Sequence, residues 1–151
     1  MTGPKFVPKP GQVDYTNIRY APVIQCVLKH NDNVLLLKRS QDLRIYPGYW
    51  SGVAGFLDDA KDVEVKVYEE LKEELGLKRK NVISIKHGNL LSHEAKEYVK
   101  TFLILPFLIE VDTDNINLDW ETSEYKWLAP EDAKKMNLMP GFDKVFRAFY
   151  P

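Results

Sequence analysis

Residues 55–77 read GFLDDAKDVEVKVYEELKEELGL. On a helical wheel, Val63, Val67, Tyr68, Leu71 and Leu75 fall within roughly 140° of arc, a core-facing stripe. Glu70, Glu73 and Glu74 gather on an adjoining arc of about 100°. They are i+3 and i+4 neighbours, so three like charges share one patch of helix surface. They also stand near the helix C-terminus, where the backbone dipole disfavours negative charge. Glu74 lies at the margin of the apolar stripe. A solvated acidic face is the ordinary meaning of such a run. A divalent cation would answer all three objections together, because hard cations such as Mg²⁺ or Mn²⁺ take oxygen ligands.

The surrounding chain limits what this helix belongs to. The sequence has 151 residues, 44% of them hydrophobic and 28% charged, which suits one packed domain. Net charge is -1, so there is no global pull toward a nucleic acid duplex or an anionic membrane. The single cysteine, Cys26, excludes an internal disulfide framework. It alternates with apolar neighbours and reads as core packing. The proline-rich start lacks the apolar run of a signal peptide. FLILPFLI, 102–109, is too short to span a bilayer. A cytoplasmic setting is expected by default, and a homodimer is left open.

Residues 1–17 are expected to form an irregular arm, which Pro4, Pro8 and Pro10 keep from being helical, and 18–151 a single domain. Residues 20–29 and 34–38 read as strands joined by an HNDN hairpin. Residues 62–75 read as a helix, 82–90 and 98–110 as strands, and LSHEAKEY between them as a polar loop. A strand at 122–128 precedes a helix over 130–136, and FDKVFRAFY closes the chain as an amphipathic helix. Helices covering a mixed sheet account for this order, which makes the fold class α/β.

The opening stretch resembles the Nudix box, G-x5-E-x7-R-E-U-x-E-E-x-G-U, where U is aliphatic. Gly55, Glu70, Leu71, Glu73, Glu74, Gly76 and Leu77 match it at the correct spacing. LLLKRS, PGYW and EYKWLAPEDA also look like passages of the family. The resemblance covers roughly residues 18–150 and implies a Nudix α/β/α sandwich around a mixed sheet. It further implies Glu73 and Glu74 as principal metal ligands, Glu70 as a further ligand or an aid in activating water, and the Gly55 carbonyl completing the site. The cofactor would be Mg²⁺ or Mn²⁺. The substrate would be a small diphosphate, typically a nucleoside diphosphate derivative.

Two positions depart from the motif. Lys61 stands where the family has Glu, and Glu69 where it has Arg. Either an acid–base contact survives with its partners exchanged, or the constraint has lapsed with catalysis. Lys66 falls between Glu70 and Glu73 on the wheel. It is either an i+4 partner for Glu70 or an ammonium that occupies part of the metal's electrostatic niche.

Outside the box, Glu94 and Glu97 are ranked first as a general base, since a loop can reach over a sheet-end site. Glu121 and Glu124 follow. His93 reads as an ordinary loop histidine. Arg39 and Arg44 could hold phosphate oxygens; Tyr46 and Tyr49 could stack on a nucleobase. Trp50 reads as structural. The leading function is a metal-dependent diphosphate hydrolase (pyrophosphatase). The alternative is a catalytically weakened module that binds a nucleotide or a protein. Isopentenyl-diphosphate isomerase shares the architecture, but that chemistry resembles a cysteine mechanism with the cysteine after such a tryptophan, and WSGVAG has none there.

Overall fold

The structure is a computed structural model that describes residues 7–151. Part of the arm, residues 1–6, lies outside the described residues. Residues 7–19 form no strand or α-helix. Strands β1 (Tyr20–His30) and β2 (Asn33–Arg39) form the expected hairpin. Its turn places Asn31 at φ 53°, a conformation asparagine tolerates. The remaining strands are β3 (Trp50–Ser51), β4 (Val53–Phe56), β5 (Val82–His87), β6 (Leu91–Ala95), β7 (Lys100–Val111) and β8 (Thr122–Leu128). Helix α1 spans Val63–Leu75, α2 Pro130–Ala133 and α3 Phe142–Phe149.

The sheet is mixed. β1 and β7 pair in parallel from Tyr20↔Thr101 to Lys29↔Glu110; the other pairings are antiparallel. This central pair has two divided flanks. On one side β1 meets β4 along Val23–Cys26 and β2 only at Lys29–His30. On the other, β7 meets β6 first and β5 later.

Alternation along the strands builds two cores. Ile24, Cys26, Leu28, Leu35 and Leu37 pack with Val67, Leu71 and Leu75 of α1. Val23, Val27, Val34 and Leu36 pack with Phe142, Val145 and Phe146 of α3. Successive side chains point to opposite faces, so each strand feeds both layers. The result is the expected α/β/α sandwich.

Two local expectations need correction. LSHEAKEY is not a loop: β6 occupies its first part, followed by a 3-10 turn at Lys96–Tyr98. The helix at 130–136 stops at Ala133, after which Lys135 and Met136 bond three residues back in tighter turns. WSGVAGF, for which the sequence reading offers no element, holds the two short strands β3 and β4. Cys26 is fully buried, and Trp50 is buried with its backbone bonded to Asn137 and Met139, as core roles require.

Candidate active site

Helix α1 follows the tight segment Asp58–Asp62 and ends at Gly76. There φ is 68°, and the glycine N–H bonds Lys72 O at 2.9 Å while Leu77 N–H bonds Leu71 O at 3.2 Å. Only glycine adopts this left-handed cap without strain. The stop fixes the rotation of the last turn, and with it Glu70, Glu73 and Glu74. Glu74 is buried at 6% exposure, Glu70 is half-buried and Glu73 is exposed.

Gly55, at the end of β4, faces this turn. A Cβ there would stand 2.6 Å from the Glu70 carboxyl carbon and 2.6 Å from its Oε1. Glycine at 55 is therefore what admits the Glu70 carboxylate against the strand.

Burial pushes Glu70 up to about 7, with the charge of Glu73 adding and a hydrogen bond from Glu74 opposing. Glu74 is raised well above the usual carboxylate range, chiefly by burial and then by the charge of Glu70. Charge on either carboxyl thus raises the proton affinity of a buried neighbour one turn away. Glu74 Oε2 is buried and has no hydrogen-bond partner. An orphaned buried carboxylate oxygen beside a glycine-made cradle fits a cation site, since such an atom is costly unless paired. As the side chains stand, no group of three or more His, Cys, Asp or Glu among the described residues is placed to hold a metal ion. A cation would compete with protons for the Glu70 and Glu74 carboxylates, whose proton affinity burial raises.

The altered positions of the box contact one another. Lys61 Nζ lies 2.7 Å from Glu69 Oε1, so the acid–base contact persists with its partners exchanged. Lys66 does not pair with Glu70. Its ammonium lies 3.1 Å from Asp58 Oδ1, 3.3 Å from Asp59 Oδ2 and 3.6 Å from Glu69 Oε2. Burial alone would lower the Lys66 pKa, but these carboxylates outweigh it and raise it. The wheel angle was right; the long side chain reaches back along the helix toward its N-terminal turn.

A cleft of about 630 Å³ opens beside Gly55, Glu70 and Glu73. Arg39, Arg44, Tyr46 and Glu121 also line it. Arg39 directs Nε at the Ile45 and Tyr46 carbonyls and Nη2 at Ile45, which pins the connection after β2. Arg44 is exposed on the cleft wall. The Tyr46 hydroxyl donates to Glu97 and meets His93 Nε2 at 3.1 Å. Tyr49 packs edge-on against Tyr46, in the α3-side core.

Glu94 pairs with Arg19 at 3.3 Å on an exposed surface; neither it nor Glu97 lines the cleft. Glu124 pairs with Lys38 at 3.7 Å. Glu121 is the carboxylate the cleft brings toward α1. Burial raises its pKa, Asp119 and Glu73 add to the rise, and Arg39 opposes it. Gln25 was not singled out in the sequence. It lines the same cleft at 5% exposure, and its Oε1 has no protein partner. Nothing in a strand of apolar residues marks such a glutamine in advance.

A family model described as the NUDIX domain matches residues 19–149. The chain belongs to this family. An isopentenyl-diphosphate Delta-isomerase from Kocuria rhizophila is 28% identical over 108 residues, 70% of this chain and 60% of the relative. Nudix hydrolase 19, chloroplastic, from Arabidopsis thaliana is 27% identical over 140 residues, 88% of this chain. The chain thus spans 60% and 30% of these two relatives' lengths. The NUDIX domain of Shewanella oneidensis NrtR, solved with ADP ribose, superposes with a TM-score of 0.71 at 17% identity, covering 85% of each chain. At that identity the likeness speaks for the Nudix fold alone.

Proposed function

We propose that this Nudix chain is a metal-dependent hydrolase that cleaves the diphosphate linkage of a nucleoside diphosphate derivative. The observation that carries it is the buried, unpartnered Oε2 of Glu74 behind the Glu70–Gly55 contact. Gly55 O, Glu70, Glu73 and Glu74 are the residues that would hold Mg²⁺ or Mn²⁺. When bound, the ion supplies charge neutralisation at the diphosphate oxygens and a more acidic water.

The chain's own groups would do the rest. Arg44, exposed on the cleft wall, is a fork for phosphate oxygens. Arg39 fixes the wall that carries it. Glu121, with a proton affinity raised by burial, is the general base we assign in preference to Glu94 or Glu97. Gln25 Oε1 offers a buried acceptor to a ligand hydroxyl or amine.

The isomerase likeness finds no thiol at the cleft. Cys26 is fully buried against α1, and burial pushes its pKa well up. The second reading, a binding module with weakened catalysis, draws on one observation: no ready three-acid cluster stands among the described residues.

Phosphate release from a panel of diphosphate compounds, with Mg²⁺ or Mn²⁺, tests the proposal against Glu73→Gln. Turnover that Glu73→Gln abolishes is expected. Intact nucleotide binding with no turnover on any compound selects the binding module.

A further inference from the structure

Residues 12–16 pass along the cleft, and all five line it. Two buried charged groups fix this span. Asp58, 8% exposed, accepts Val13 N–H on its carbonyl at 2.6 Å and Gln12 Nε2 on Oδ2 at 2.7 Å. Its other oxygen takes Lys66 of α1, so the span is keyed to the carboxylate helix. At the far end Lys100, 3% exposed, donates to the carbonyls of Tyr15, Thr16 and Ile18. A buried lysine with carbonyl partners is a costly device unless it holds something in place.

Tyr15 lies within this span. Its carbonyl is bound by Lys100, and its hydroxyl donates to Leu57 O at 3.2 Å. Its ring stacks on Phe56, centroids 5.6 Å apart at 15°. With both polar ends committed, what Tyr15 offers the cleft is its ring. Phe56 backs that ring and lines the same cleft as Gly55 and Glu70.

We propose that residues 12–16 are the recognition wall for the group attached to the diphosphate, with the Tyr15 ring as the stacking platform for a nucleobase. This deepens the hydrolase reading and rests on it only for the position of the diphosphate. Stacking on an aromatic ring needs a π-face and no particular base edge. The wall therefore distinguishes a ligand with a base from one without.

AMP and ribose 5-phosphate differ by the base alone, and their dissociation constants are measured by calorimetry on the full chain. Wild type is expected to prefer AMP by at least about fivefold. Tyr15→Phe keeps the preference and Tyr15→Ala removes it. Tyr15→Leu, which keeps an apolar group over Phe56, also removes it and stands in if Tyr15→Ala does not fold. Wild type without the preference, a preference that survives Tyr15→Leu, or tighter AMP binding by Tyr15→Ala (a strap that obstructs) overturns the proposal. A base preference carried by Tyr15 in a chain that releases no phosphate keeps the wall and removes the hydrolase reading. Turnover with a preference indifferent to Tyr15 does the reverse.

Discussion

Lys61 Nζ lies 2.7 Å from Glu69 Oε1, an ion pair between the two positions where this chain reverses the charges of its family's motif. Asp59 Oδ2 stands 3.8 Å from the same ammonium. Lys61→Glu places three acids together, and Glu69→Arg brings a guanidinium against Lys61 and Lys66. Each single change is expected to lower the melting temperature by about 1–3 °C, and the double change to recover most of it. A thermal shift series on the four proteins checks this; strictly additive losses would mean the contact is incidental.

Lys66→Met leaves the buried Asp58 facing Gln12 alone. Removing one member of a buried pair costs about 3 kcal/mol, so a clear fall in the urea midpoint is expected. Metal affinity should change little, because the ammonium is turned toward Asp58 and Asp59 rather than Glu70. A Mn²⁺ titration of both proteins measures this, and a large gain in affinity would restore the idea that Lys66 competes with the ion.

Glu74→Gln replaces a buried, easily protonated carboxyl with a neutral amide. The metal-free protein should gain about 1–2 kcal/mol, a rise of roughly 2–6 °C. The same change should abolish stabilisation by Mn²⁺. Calorimetric scans with and without the ion separate the two effects; loss of metal-free stability would refute the assignment.

Glu121→Gln is expected to lower kcat by about 10²- to 10⁴-fold with little effect on KM. Glu94→Gln should leave both within a factor of about two, as a surface charge paired with Arg19 at 3.3 Å. Steady-state kinetics on one shared substrate decide between them.

His93 supplies a pH test separate from the carboxylates of α1. Its pKa is lowered, chiefly by burial and then by Lys144, with Asp143 and Glu97 opposing the shift. The folded chain thus binds fewer protons there than the unfolded one. The stability of the neutral ring is fully present above the unfolded value of about 6.5 and is lost as pH falls toward the lower folded value. His93→Gln should therefore show a smaller loss than wild type between pH 7 and 5 in parallel urea titrations. Parallel curves would count against burial of the neutral ring.

Much of this was legible from periodicity. The apolar stripe of α1 and the i, i+3, i+4, i+7 pattern of Phe142, Val145, Phe146 and Phe149 are strong signals because helices repeat them over several turns. β6 escaped because its inward residues are Leu91, His93 and Ala95, and only one of the three is strongly apolar. Glu94 and Glu97 rank ahead of Glu121 in the sequence because LSHEAKEY reads as a loop able to reach over the site, whereas Glu94 stands on a strand. Pairing of β6 with β7 points Glu94 at Arg19 instead, and such register is set by partners distant in sequence. Lys66 was placed at the correct angle but with the wrong partner, since a wheel carries no side-chain direction along the axis.

The parallel union of β1 and β7 joins residue 20 to residue 101, and every part of the cleft hangs from it. Such a pairing closes a long loop before any contact rewards it, so refolding should be slow relative to helical proteins of this size. Gly55 and α1 lie inside that loop, while Tyr15 precedes it and Glu121 follows it. Ligand-binding competence should accordingly return only with the last phase of refolding, and no fragment ending before β7 should recover it.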